Sequence, residues 1–163
     1  MINNKAEVEF RDWLDSIWVW SSLGHPLTPY QDTLITSIFS GHEVLDVKNR
    51  QVGNTCLLIG YAVYMASRGC KVLYIPFNHY NTKDVSRKIG EMCKLPETRN
   101  NITVSNRPDT CCVGSSFNII IADEFRWNLG AYLWAVDYAY APRPQLIATT
   151  TLLPERMGDV RSL

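Results

Sequence analysis

The stretch VKNRQVGNTCLL, Val47 to Leu58, closes one apolar run, EVLDVK, and opens another, CLLIGYAVYMA. Its spacing follows the phosphate-binding pattern G-x-x-x-x-G-K-[ST] at two positions, Gly53 and Thr55. Asn54 stands where the pattern has lysine, and Lys48 replaces the first glycine. A loop of this kind holds phosphates through backbone N–H groups and the positive end of a helix dipole, neither of which needs the lysine. The lysine adds a mobile charge against the terminal phosphates, on the order of 4 kcal/mol in a medium of effective dielectric near 20, before desolvation. Because such a loop curls around its anion, its first and seventh positions border the same phosphates, and Lys48 is read as supplying the displaced charge. The plain alternative makes Lys48 a solvated strand-end residue and Asn54 an ordinary helix cap.

Outward from this loop the chain alternates between two hydrophobic periods. EVLDVK reads as a short strand, NTCLLIGYAVYMASRG as a buried helix closed by Gly69, and KVLYIP as a strand. NTKDVSRKIGEMCKL reads as a more exposed helix capped by Asn81 or Thr82, and NITVSN as a further candidate strand. FNIIIADE is an apolar strand ending in two acids, NLGAYLWAVDYAY a helix and QLIATTT a strand, while PETRNN and NRPDT read as exposed loops. Upstream, Ala6 to Trp20 carries Phe10, Trp13, Leu14, Ile17 and Trp18 at helical spacing. SSLGHPLTP breaks that helix, and a second begins after Pro29, with Tyr30, Leu34, Ile35, Ile38 and Phe39 on one face. Strands and helices in turn predict an α/β fold, a mostly parallel sheet flanked by helices in three α/β/α layers.

Two further segments bear on the loop. In FNIIIADE, apolar positions lead into Asp123 and Glu124, the shape of a Walker B strand, in which the first acid serves Mg2+ and the second polarises the attacking water. It follows the loop after an intervening strand-helix unit, the order expected of additional-strand P-loop ATPases. QLIATTT ends in Thr149, Thr150 and Thr151, either good strand formers or a polar strand end beside Walker B that reports on the terminal phosphate.

Composition sets the bounds. The chain has 163 residues, suited to one domain, with 46% hydrophobic and 20% charged residues, the profile of an ordinary globular protein. Lys+Arg and Asp+Glu are both 16, so any nucleic-acid contact is local or shared between subunits. No apolar run long enough to span a bilayer occurs, and MINNKAEVEF lacks a signal-peptide profile, so a soluble intracellular protein is expected. The five cysteines show no C-x-x-C spacing and are expected to be reduced and mostly buried.

With these motifs in order, residues from about Leu27 to Thr151 resemble the ATPase domain of the large terminase subunit, the motor that packages DNA into tailed-phage and herpesvirus capsids. LTPYQ is similar to that family's adenine-binding motif, which implies Gln31 as a base-edge contact with Tyr30 packing nearby. NRQVGNT is similar to its Arg-Gln-x-Gly-Lys-Thr loop and places Arg50 where some terminases carry an arginine that acts on the terminal phosphate. VGSSFNIIIADE and LIATTT are similar to its approach to Walker B and its coupling motif. Some members carry the loop lysine at its beginning, where Lys48 stands; Val113 departs from the family's arginine before Gly114.

The resemblance implies ATP and Mg2+ as cofactors. The nucleotide cradle would comprise Tyr30, Gln31, Lys48, Asn49, Arg50, Gln51, Val52, Gly53, Asn54, Thr55 and Cys56; Thr55 and Asp123 would place the metal, and Glu124, Arg50 and Lys48 would act in catalysis. Thr149, Thr150 and Thr151 would couple nucleotide state to movement. The implied partners are double-stranded DNA, the portal, the small terminase subunit and further copies in a ring, with no membrane; the implied location is the host cytoplasm and, transiently, the procapsid portal. The expected organisation is an N-terminal helical extension over residues 1–26, an ATPase core over 27–151 and a tail over 152–163, without the family's nuclease domain. Asn54, Val113 and that missing nuclease domain motivate a second expectation, a degenerate, non-hydrolysing terminase-like protein that docks on a partner.

The remaining conspicuous residues carry ordinary readings. His25, His42 and His79 lack ligand spacing, Trp127 and Trp134 are expected to be core or helix-packing residues and not a base-stacking platform, and Arg87 and Lys88 belong to a solvated helix face.

Overall fold

The computed structural model describes residues 4–17, 28–41, 43–48, 54–76, 78–112, 115–140 and 144–151, and for residues 4, 17, 47, 48, 54, 79, 80, 140 and 151 it describes the backbone alone. In chain order the elements are α1 (Asn4–Ile17), α2 (Pro29–Ser40), β1 (Glu43–Lys48), α3 (Asn54–Ser67), β2 (Val72–Ile75), α4 (His79–Met92), α5 (Pro96–Asn100), β3 (Ile102–Val104), α6 (Pro108–Cys111), β4 (Ile119–Ala122), a 3-10 turn (Phe125–Trp127), α7 (Leu129–Tyr140) and β5 (Gln145–Thr151). The five strands form one sheet in the order β1-β5-β4-β2-β3, and every pairing is parallel.

Side chains alternate across this sheet with a period of two. Val72, Tyr74, Ile119, Ile121 and Ile147 face one way, into a core shared with α1, α2, α3 and α4. Leu73, Ile75, Ile120 and Leu146 face the other way, against Ala131, Ala135 and Ala139 of α7. Helices therefore cover both faces, and strands buried on two sides read as unbroken apolar runs such as IIIA. Helix α3 lies within the first core, with Leu57, Leu58, Ile59 and Ala62 fully buried. Burying each of its large aliphatic side chains contributes about 1.5–3 kcal/mol relative to exposure.

Helix ends explain several boundaries. In α2, Thr28 and Gln31 form a reciprocal capping box, with Thr28 Oγ1 accepting from the Gln31 N–H at 3.2 Å and Gln31 Oε1 accepting from the Thr28 N–H at 2.9 Å. Helix α3 stops at Gly69, whose φ of +94° lets the Cys70 N–H reach the Met65 carbonyl at 3.0 Å and the Gly69 N–H reach that of Ala66 at 3.1 Å. Helix α4 begins earlier than expected. Its cap is Asn78, not Asn81 or Thr82: Asn78 Oδ1 accepts from the Asn81 N–H at 2.8 Å, because Asn78 is the residue left in extended backbone at the helix entrance. PETRNN and NRPDT contain the short helices α5 and α6 rather than plain loops, each with proline in the first turn, where its fixed φ is pre-set for helix. Helix α1 is described to Ile17, and the expected continuation to Trp20 lies outside the described residues.

Phe10 anchors α1 by meeting Phe39, Tyr61 and Tyr64 at ring-centroid distances of 5.5, 5.7 and 5.3 Å. Arg11 then bridges α1 to α2 through Asp32 at 2.6 Å. At the amino end of β5, Gln145 ties three elements together. Its Nε2 donates to the carbonyls of Ile38 and Gly41 at 2.8 and 3.1 Å, and its Oε1 accepts from Tyr61 Oη–H at 2.6 Å. Arg87 pairs with Asp84 and Glu91 and Lys88 with Asp84, as expected of a solvated face. All five cysteines are free, but only Cys112 is buried; Cys111 is exposed and Cys56, Cys70 and Cys93 are half-buried at helix and loop margins.

Candidate functional site

In an all-parallel sheet the carboxyl ends of all strands lie along one edge, and in open α/β folds this edge is where ligands bind. Here β5 lies between β1 and β4, so the ends of the three segments singled out in the sequence are consecutive along it. Lys48 pairs in register with Thr151 and Asp46 with Thr149, while Ala122, the residue before Asp123, pairs with Ala148. In the chain, β1 and β4 are separated by two strands, β2 and β3, and not by the single strand-helix unit expected, because NITVSN forms the short strand β3 beyond β2 on the far side of the sheet.

Asp123 is the centre of the arrangement. It sits just past β4, is 2% exposed, and accepts three hydroxyl hydrogen bonds. Thr55 Oγ1, in the first turn of α3, donates to Oδ2 at 2.8 Å, and Tyr74 Oη, on β2, donates to the same oxygen at 2.8 Å. Thr149 Oγ1, on β5, donates to Oδ1 at 3.1 Å. All three donors approach from the face of the sheet that α3 covers, the side shared by Tyr74, Ile121 and Ile147. Burial pushes the Asp123 carboxyl above its ordinary range, the three hydroxyls pull it back, and Glu124 adds to the rise. Burial likewise drives the Tyr74 hydroxyl well above the usual tyrosine value, with the neighbouring Asp123 reinforcing it, so Tyr74 is a proton donor at neutral pH.

Glu124 follows in the left-handed backbone region, with φ 53° and ψ 51°, and its side chain is buried. A non-glycine residue there stores about 1–3 kcal/mol of strain, a feature concentrated at functional sites. Its N–H makes a long contact to Thr149 Oγ1 at 3.4 Å, so Thr149 touches both acids.

The other expected site residues are distributed unevenly. Asn49, Arg50, Gln51, Val52 and Gly53 lie outside the described residues, as do the side chains of Lys48, Asn54 and Thr151; Asn54 is the first residue of α3. Cys56 is half-buried on α3, and Thr150 is buried on β5. Tyr30 is largely exposed, whereas Gln31 is buried with its side-chain oxygen engaged by the capping box. Val113 and Gly114, His25 and His42, and the side chain of His79 also lie outside the described part.

Two residues at this edge escaped sequence reading. Tyr74 reads there as one more apolar residue of KVLYIP; its only signal is a hydroxyl in a strand buried on both faces. Arg126, in the 3-10 turn after Glu124, lies over the Trp127 ring at 4.4 Å, and its buried Nε has no hydrogen-bond partner among the described residues. Trp127, in the same turn, is half-exposed rather than core, while Trp134 packs against the core beside α7 and stacks on Tyr138.

Thr55 and Asp123 offer the hard oxygen donors that Mg2+ prefers, and Mg2+ is commonly held by one or two protein groups together with substrate phosphates. Among the described residues no group of three or more His, Cys, Asp or Glu is placed to hold a metal unaided. Among them, too, no helix is long and apolar enough to cross a membrane. No protein-family model matches the chain, and no curated protein matches it significantly.

Proposed function

We propose that the chain is a P-loop ATPase of the additional-strand type that hydrolyses ATP with Mg2+ and, following its resemblance to the large terminase subunit, powers the movement of double-stranded DNA into a viral capsid. The observation that carries the nucleotide reading is the hydrogen bond from Thr55 Oγ1 to Asp123 Oδ2 at 2.8 Å. The two residues come from separate motifs that would share one metal, and β5 lies between β1, which leads into the loop before Thr55, and β4, which leads into Asp123, an order that supports the additional-strand reading.

In this reading the first turn of α3 presents backbone N–H groups and the positive end of its dipole to the phosphates. Lys48, at the carboxyl end of β1, supplies the charge that Asn54 lacks. Mg2+, when bound, neutralises developing charge on the phosphates, with Thr55 and Asp123 holding it. Glu124 takes the proton of the attacking water as its oxygen bonds the terminal phosphorus and the bond to the bridging oxygen breaks. Arg50 stabilises the charge that builds on the transferred group. Thr149, bonded to Asp123 and in contact with Glu124, registers whether the terminal phosphate is present. DNA, the portal, the small subunit and a ring of copies, acting in the host cytoplasm and at the procapsid, complete the proposal by resemblance.

Phosphate release by the purified chain, with and without DNA and a portal complex, tests it. Turnover is expected in the parent, with Glu124→Gln lowering it about 10²–10⁴-fold, the usual contribution of a general base. A parent that turns over no ATP under any of these conditions removes the enzyme reading and favours the partner-docking one. Unchanged turnover in Lys48→Ala removes the displaced-lysine assignment alone.

A further inference from the structure

Tyr74 is fully buried, one of the largest side chains of the core with no exposure at all. For packing alone a phenylalanine would serve, since a buried hydroxyl costs free energy unless it is bonded. Its hydroxyl donates to Asp123 Oδ2 at 2.8 Å, the same oxygen that Thr55 engages. The two donors differ in their mounting. Thr55 stands on the first turn of α3, next to the candidate phosphate loop, whereas Tyr74 stands on a central strand whose partners β3 and β4 flank it on both sides. In register Tyr74 pairs with Ile121, two residues before Asp123, so Tyr74 and Asp123 project to the same face of the sheet, where the hydroxyl meets the acid.

We infer that Tyr74 is a positioning residue for the metal-nucleotide site: its hydroxyl fixes the Asp123 carboxylate so that Oδ2 faces Thr55 before any ligand arrives. This rests on the proposed ATPase reading and goes beyond it, because it assigns a role to a residue of β2 that lies in none of the motifs. Outer partners that orient a ligating group characteristically alter metal affinity about 10–100-fold when removed. Removing one hydroxyl here leaves the tyrosine ring, and hence the packing of β2, in place.

The test is a Mg2+ titration of the purified chain at fixed concentration of a fluorescent ATP analogue, comparing the parent with Tyr74→Phe. The expected result is a half-saturating Mg2+ concentration about tenfold higher in Tyr74→Phe, with metal-free analogue affinity within about twofold of the parent on the same outer-partner logic. A purely structural hydroxyl would lower the melting temperature without moving the Mg2+ midpoint, and an unmoved midpoint overturns the inference while leaving the ATPase reading intact. A parent that binds no analogue at any Mg2+ concentration overturns both. The double variant Asp123→Asn with Tyr74→Phe guards against a failure of Tyr74→Phe to fold, since it removes the carboxylate left short of a donor. Its Mg2+ response should equal that of Asp123→Asn alone, and a further loss would show that Tyr74 does not act through Asp123.

Discussion

Thr149 and Asp123 meet at the ends of neighbouring parallel strands, with Thr149 Oγ1 donating to Asp123 Oδ1 at 3.1 Å while accepting at 3.4 Å from the N–H of Glu124. One hydroxyl thus touches both acids of the candidate site, and it comes from the strand that separates β1 from β4. Thr149→Val keeps the shape and removes both contacts. The expected outcome is ATP turnover lowered roughly tenfold, with stability reduced by about 1 kcal/mol for the lost buried bond. Thr149→Ser should restore most of the turnover. Steady-state kinetics with thermal melts check this, and full activity in Thr149→Val would remove Thr149 from the site.

Glu124 occupies left-handed backbone, which asparagine tolerates far better than glutamine. Glu124→Asn should therefore be more stable than Glu124→Gln by about 0.5–1 kcal/mol, a difference independent of any effect on turnover. Denaturant unfolding of the two variants decides the point. Equal midpoints would mean that the surrounding fold does not hold this backbone in strain.

Asp123 carries a stability cost of burial. Burial raises its pKa in the folded chain, so the folded state holds this proton to higher pH than the unfolded state does. Its contribution to stability is then full below the ordinary value of 3.8 and is lost as pH rises through the folded value. Asp123→Asn keeps an oxygen for Thr55 and Tyr74 and abolishes the titration. In metal-free buffer it should melt higher than the parent at pH 7, with the gain shrinking toward pH 4. A variant that melts lower at neutral pH would show that the hydroxyl bonds outweigh desolvation.

Gln145 acts at the opposite end of β5 from Thr149, holding the α2–β1 connection and Tyr61 through three hydrogen bonds. Gln145→Leu strands those partners and should cost about 2 kcal/mol, or about 4–8 °C in melting temperature for a chain of this size. Nucleotide binding by the folded fraction should not change. Differential scanning calorimetry with analogue binding tests both halves, and altered binding at unchanged stability would contradict the separation of the two strand ends.

Hydrophobic period marked the longer helices and the strands, including β1 over Glu43–Lys48 and β5 over Gln145–Thr151, since periods of 2 and 3.6 are written locally along the chain, but the short polar helices α5 and α6 carry no such period and read as loops. The closeness of Thr55 and Asp123 could be anticipated for a different reason: each sits in a short motif read as serving the same metal, and the two side chains are hydrogen-bonded at 2.8 Å. Nothing local announced that Gln145 clamps the α2–β1 connection or that Tyr74 reaches Asp123, and β5 could be placed beside β4 only through the motif reading. Parallel strands are joined by long crossovers, so their order and register are settled by which faces pack together. A tyrosine in an apolar run looks the same whether its hydroxyl meets water or, 49 positions away in the chain, a buried carboxylate.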